Sequence, residues 1–127
     1  MIFRHTWQKV LSGQKSQTRR LAQDSDRLWT VEQEGKAPEK VLWRGDRVKW
    51  RTGRSYAVQP GRGKKAVARI RLLDIRYELL GHITEVEARA EGFASLTEFQ
   101  HIWQKIHGNY DRTQPVWALE FRLVEKY

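Results

Sequence analysis

One run of nine residues, Ser12-Gly13-Gln14-Lys15-Ser16-Gln17-Thr18-Arg19-Arg20, brings together an amine, hydroxyls, side-chain amides and two guanidinium groups. A run so polar can bury little apolar surface. What it can do is grip. Guanidinium forks bind phosphate or a planar polar ligand bidentately, and an ammonium group adds a mobile point charge. The same composition also describes a solvated basic turn, and the stretch alone leaves both readings open.

The elements that must carry this run can be read from the flanking pattern. Trp7, Val10 and Leu11 recur at helical spacing after Thr6, a candidate N-cap, and Gly13 is placed to end that helix in a left-handed turn. Lys15 to Arg20 then reads as extended chain, with Leu21 as the first strand residue to reach a core. Arg27–Val31 and Val41–Trp43 read as a hairpin whose turn contains Gly35, the alternative for Ala22–Gly45 being a loose insertion. Asp46–Trp50 and Ser55–Gln59 alternate as strands, and Pro60–Lys65 is a basic turn. Ala66–Tyr77 is the longest strand candidate, too rich in arginine to be buried on both faces. Thr84-x-x-Glu87 and Ser95-x-x-Glu98 fit the capping box of two helices, the second with Leu96, Phe99, Ile102, Trp103 and Ile106 on one stripe and Gly108 as its stop. The chain closes on Trp117, Leu119, Phe121 and Leu123, one face of a half-buried strand. Strands with short turns and helices at the edges imply a small β-barrel of mixed α+β class.

Composition excludes several kinds of chemistry. At 127 residues the chain has room for one domain, spanning residues 1–127. It contains no cysteine, so disulfides and thiolate sites are ruled out. The histidines, His5, His82, His101 and His107, have no metal-ligand spacing with carboxylates, so neither a metal nor a cofactor is expected. No apolar run reaches membrane-spanning length and the N-terminus is not a signal peptide, so a soluble cytoplasmic protein without a membrane partner is expected. The net charge of +9 is segregated. Between Arg44 and Arg76 lie eleven Lys or Arg and two Asp, while the thirteen basic and thirteen acidic groups elsewhere cancel. A localised basic surface of this kind attracts polyanions, of which nucleic acid is the commonest.

Gly13-x-Lys15-x-x-Thr18-x-Arg20 resembles the signature of the ASCH domain, a member of the PUA-like superfamily. Tyr56–Gly63 is similar to a variant of the family's central hairpin, Ala88-x-x-Glu91-Gly92-Phe93 to its helix-end motif, and Val116–Phe121 to its closing strand. The resemblance spans nearly the whole chain. It implies a PUA-like barrel of five to six strands with short flanking helices, its cleft floored by the first motif and used for RNA or a modified nucleoside. The family also includes small bacterial amidohydrolases that remove acyl groups from N4-acylated cytidines. Their catalytic lysine, threonine and glutamate match Lys15, Thr18 and Glu91, although those enzymes lack the Ala22–Gly45 segment and the Pro60–Lys65 turn. Other ASCH proteins are linked to RNA cleavage.

The chemistry implied is coherent. Thr18 would be the nucleophile once a base removes its proton. Lys15 could be that base if burial and the neighbouring Arg19 and Arg20 lower its pKa, and Glu91 could return a proton to the leaving nitrogen. Positions 15 and 18 point to opposite faces of a regular strand, so they converge only if Lys15 lies on the turn after Gly13 or the strand bulges. Glu91 could instead pair with Arg20. His5, near the first motif, could line the pocket. Trp7, Trp103 and Trp117 read as core, whereas Trp29, Trp43 and Trp50 sit beside basic residues, where aromatic rings stack single-stranded bases. The main reading is therefore a binding domain for RNA or a modified nucleoside. Arg19, Arg20, Trp50, Arg51, Arg54, Arg62, Lys64, Lys65, Arg69 and Arg71 would form its nucleic-acid surface. The rivals are an N4-acylcytidine-type amidohydrolase and a module whose basic face meets an acidic protein.

Overall fold

The strongest alternation in the sequence lies on a strand with neighbours on both sides. The computed structural model describes Met1–Tyr127, in the order α1 (Trp7–Leu11), β1 (Gln17–Leu21), β2 (Asp26–Gln33), β3 (Lys36–Arg44), β4 (Arg47–Arg51), β5 (Ser55–Val58), β6 (Ala68–Leu79), α2 (Glu85–Ala90), α3 (Leu96–His107) and β7 (Pro115–Lys126). One sheet runs β1-β7-β6-β5 and the other β2-β3-β4, and all ladders between strands are antiparallel. No helix is long and apolar enough to cross a membrane.

Three buried clusters hold these layers. Leu42 and Trp50 of the three-stranded sheet pack on Leu72, Ile75, Trp117 and Leu119 of the other. Val10 of α1 joins Phe3, Val58, Ala68, Ile70 and Phe121 at one end of the same face. The opposite face receives Ala88 of α2 and Phe99 and Trp103 of α3 against Leu80, Ile83 and Val116. Val116 to Leu119 are therefore buried without a break, because both faces of β7 are covered there.

The expected closed barrel of five to six strands is not formed; there are seven strands in two sheets. The hairpin strands β2 and β3 pair with each other, and β3 pairs with β4, instead of extending the larger sheet. The free edge of β5 is met by the N-terminal segment through the Ile2–Gln59 bridge, and the edge of β1 reaches that segment only through Arg20, whose Nη2 donates to the Ile2 carbonyl at 2.8 Å. Leu21, expected in the core, is 39% exposed, because its register partner Val116 places it on the far face at a sheet edge. Thr6 makes no side-chain cap bond, although Gly13 is left-handed as expected. The capping box at Thr84 is complete, Ser95 accepts from the Glu98 amide, and Gly108 ends α3 with φ 86°.

Candidate active site

The polar run Gln14–Arg20 lies between α1 and β7. The Lys15 amide donates to the Lys9 carbonyl and the Ser16 amide to Ala90, so Lys15 sits on the turn, outside β1. This resolves the parity problem. Thr18, opposite Leu119 on β1, faces the inner side of the sheet, and Lys15 approaches from the turn, so both line one cleft of about 480 Å³. Arg20, opposite Trp117, faces the same side.

Glu91 comes from the end of α2. The helix stops there because Gly92 follows with φ +99°, and a Cβ at Gly92 would press on Lys9 and Lys15 at 3.2 and 3.3 Å. Lys15 Nζ donates to the Glu91 carbonyl at 2.7 Å and lies 3.7 Å from its Oε1. Lys9 donates to the Gly92 carbonyl, so two lysines meet the carbonyl end of this helix. Burial is the main cause that lowers the Lys15 pKa, to about 8; Glu91 opposes the fall and Arg20 and Arg19 add to it.

Arg19 belongs to another layer. Opposite Ala118, it points away from Thr18, under α2. Its Nη1 donates to Glu91 Oε2 at 3.1 Å, and its Nη2 to Glu78 at 2.8 Å and Glu87 at 2.7 Å, with the side chain fully buried. The expectation that Arg19 contacts nucleic acid is corrected: three carboxylates occupy its fork. Arg19, and not Arg20, is also the partner of Glu91. Arg20 keeps a buried Nε with no hydrogen-bond partner beside the cleft.

Five aromatic rings, Phe3, Trp50, Phe93, Phe99 and Trp103, line the cleft among polar and charged residues. The Phe3 ring lies 5.9 Å from Lys15 Nζ and 5.2 Å from the Arg20 guanidinium, and Phe93 lies 6.0 Å from Lys15. Phe99 and Trp103 come from α3, and His5 also lines the cleft. Trp50, expected as an exposed stacking surface, is only 6% exposed and belongs to the core; Arg44 and Lys49 cover its ring at 5.7 and 5.4 Å. The role of Phe3 escaped sequence reading because it becomes a wall only when the N-terminal segment docks beside β5. Glu78 and Glu87 were invisible for a similar reason, being 59 and 68 residues from the arginine they hold.

The remaining basic candidates do not converge on the cleft. Arg51, Arg54 and Arg71 line a second groove of about 630 Å³, with Arg51 Nε bound by Glu39. Arg69 is held by Ser55, and Arg62, Lys64 and Lys65 stand exposed on the turn after β5.

No family model matches the sequence and no curated protein matches it. Among solved structures it resembles the ASCH domain from Lactobacillus crispatus JV V101, with a TM-score of 0.66, 16% identity, and coverage of 94% of this chain and 70% of that one. It also resembles protein EF3133 from Enterococcus faecalis V583, a DUF984 protein, with a TM-score of 0.59, 17% identity, and coverage of 95% and 71%. At these identities the likeness establishes the ASCH fold.

Proposed function

We propose that the cleft binds a modified nucleoside and hydrolyses an exocyclic N-acyl amide of the N4-acylcytidine type. The observation that carries this reading is Lys15, a buried lysine with its pKa lowered to about 8, on the floor of the same cleft as Thr18 and Glu91. A lysine so perturbed is neutral in a useful fraction near neutral pH and can accept the Thr18 proton. The Thr18 oxygen then attacks the acyl carbonyl. The leaving exocyclic amine nitrogen takes the proton back from Lys15, and water, activated by the same amine, releases the acyl group from Thr18. Glu91, flanked by Arg19 and Lys15, acts as the carboxylate that positions the amine, in place of the acid role that the sequence suggested. Arg20 lines the cleft and presents its guanidinium group beside Phe3 to a polar group of the ligand. The aromatic walls suit a planar base.

The test is hydrolysis of N4-acetylcytidine followed by absorbance. The wild type should turn over, and Thr18→Ala should lower kcat by at least about a hundredfold. A folded wild type without turnover overturns the hydrolase reading.

The second reading, RNA binding without chemistry, is favoured by the clustering of the whole net charge between Arg44 and Arg76. Of its exposed members, Arg47, Arg54, Arg62, Lys64, Lys65 and Arg71 lie outside the cleft and Lys49 lines it. A shift of labelled single-stranded RNA by a wild type that leaves N4-acetylcytidine intact would select it.

A further inference from the structure

The three-stranded sheet has two unlike faces. Its inner face carries Leu28, Leu42 and Trp50 against the core. On the outer face, cross-strand register aligns Trp29 with Val41 and Val41 with Arg51 in one row, and Arg27 with Trp43 in the next. Trp29 is 64% exposed, the largest apolar side chain on this sheet left to solvent, and Val31 beside it on the same face is 51% exposed. Trp43 is half-buried.

Arg51 ends the first row and also lines the second groove, so the aromatic face runs into a basic trough. Across that trough lie Arg54 and Arg71, both exposed and neither in an ion pair or a side-chain hydrogen bond.

We propose that this outer face is a binding track for single-stranded nucleic acid, with a base stacked on Trp29 and the following phosphates lying over Arg51, Arg54 and Arg71. The combination of an exposed ring with the unpaired guanidinium groups of Arg54 and Arg71 selects this polymer. An acidic protein segment would use the charge and leave the ring uncovered; a duplex keeps its bases from the ring. The track is separate from the Lys15 cleft. Trp50 and Arg51 are consecutive on β4, and their side chains face opposite sides of the sheet, the first toward the cleft and the second toward the trough. The proposal rests on the RNA-binding reading and assigns it a place.

The experiment is fluorescence anisotropy with a labelled single-stranded oligouridylate. The variants are Trp29→Ala, Trp29→Phe and the double change Arg54→Gln with Arg71→Gln, each first checked for an unchanged melting temperature. Trp29→Ala should weaken binding about tenfold and Trp29→Phe should restore most of it, since stacking needs only an aromatic face. The double arginine variant should make the plot of log affinity against log salt shallower by about 1.4. If the wild type binds and Trp29→Ala binds equally well, the track is wrong while RNA binding elsewhere stands. A wild type that does not bind the oligomer overturns both. Displacement by polyglutamate as effective as by unlabelled oligouridylate overturns the nucleic-acid assignment in favour of an acidic protein.

Discussion

A buried amine held between one carboxylate and two guanidinium groups titrates in a range where an exposed lysine stays charged. The Lys15 pKa lies near 8 in the folded chain, against an ordinary 10.5. Below pH 8 both folded and unfolded chains carry the proton, and the folded state bears the full cost of burying it. Between pH 8 and 10.5 the unfolded chain holds a proton that the folded one has released. Stability therefore rises with pH across that window, by roughly 3 kcal/mol from this group, and is level above it. Urea unfolding of the wild type and Lys15→Met at pH 7.5 and pH 10 checks this. The wild type should gain stability relative to the variant as pH rises. Parallel behaviour would mean that the amine is solvated in solution. The rate of N4-acetylcytidine hydrolysis should rise through the same pKa, because the neutral amine is the base.

At the level of elements, one carboxylate adds a polar tie between the three-stranded sheet and the larger one, beside their shared core and the Lys40–Asp74 ion pair. Asp26 begins β2 and accepts from Arg44 at the end of β3, through Nε at 2.8 Å and Nη2 at 3.1 Å. It also accepts from Trp117 Nε1 on β7 at 2.7 Å and from the Gln23 amide at 2.9 Å. These bonds tie the two sheets at the rim of the cleft and hold the Asp26 carboxyl below its ordinary pKa against the opposing effect of burial. Asp26→Ala would strand the buried indole N–H and leave Arg44 unpaired. The expected loss is about 2 to 3 kcal/mol of unfolding free energy, read by urea denaturation. Because the depressed pKa favours the folded state only while the group is ionised, the wild type should lose this advantage as the pH falls through the Asp26 titration. Asp26→Ala should show less acid sensitivity.

Across the whole molecule, basic charge is found at two places. Arg4, Lys15, Arg20, Arg44 and Lys49 line the cleft beside Glu91, while the Arg19 fork behind it is neutralised by Glu78, Glu87 and Glu91, and a second group of exposed basic residues lies on the outer strands and the turn after β5. Exposed Lys64 and Lys65 should act as long-range attractors. Lys64→Ala with Lys65→Ala should weaken oligouridylate binding and make its salt dependence shallower by about 1.4, without changing nucleoside turnover. Equal salt slopes would place the phosphates elsewhere.

Much of this arrangement was legible in the sequence because it follows from local rules. The 2.0-residue alternation at Trp117–Leu123 marked the central strand, the Thr84 and Ser95 caps marked both later helices, and Gly13, Gly35 and Gly108 marked sharp turns. The Lys15–Thr18 motif and Glu91 could be paired by resemblance, but not by geometry. What the sequence could not decide are contacts between distant segments. Trp29 and Trp50 sit in similar basic surroundings, yet register turns one to solvent and the other into the core. Arg19 and Arg20 are neighbours, yet strand alternation sends Arg19 under α2 to three carboxylates and leaves Arg20 beside the cleft. Periodicity fixes that adjacent side chains part; which face then meets a helix, a cleft or water is settled only by the packing of the two sheets.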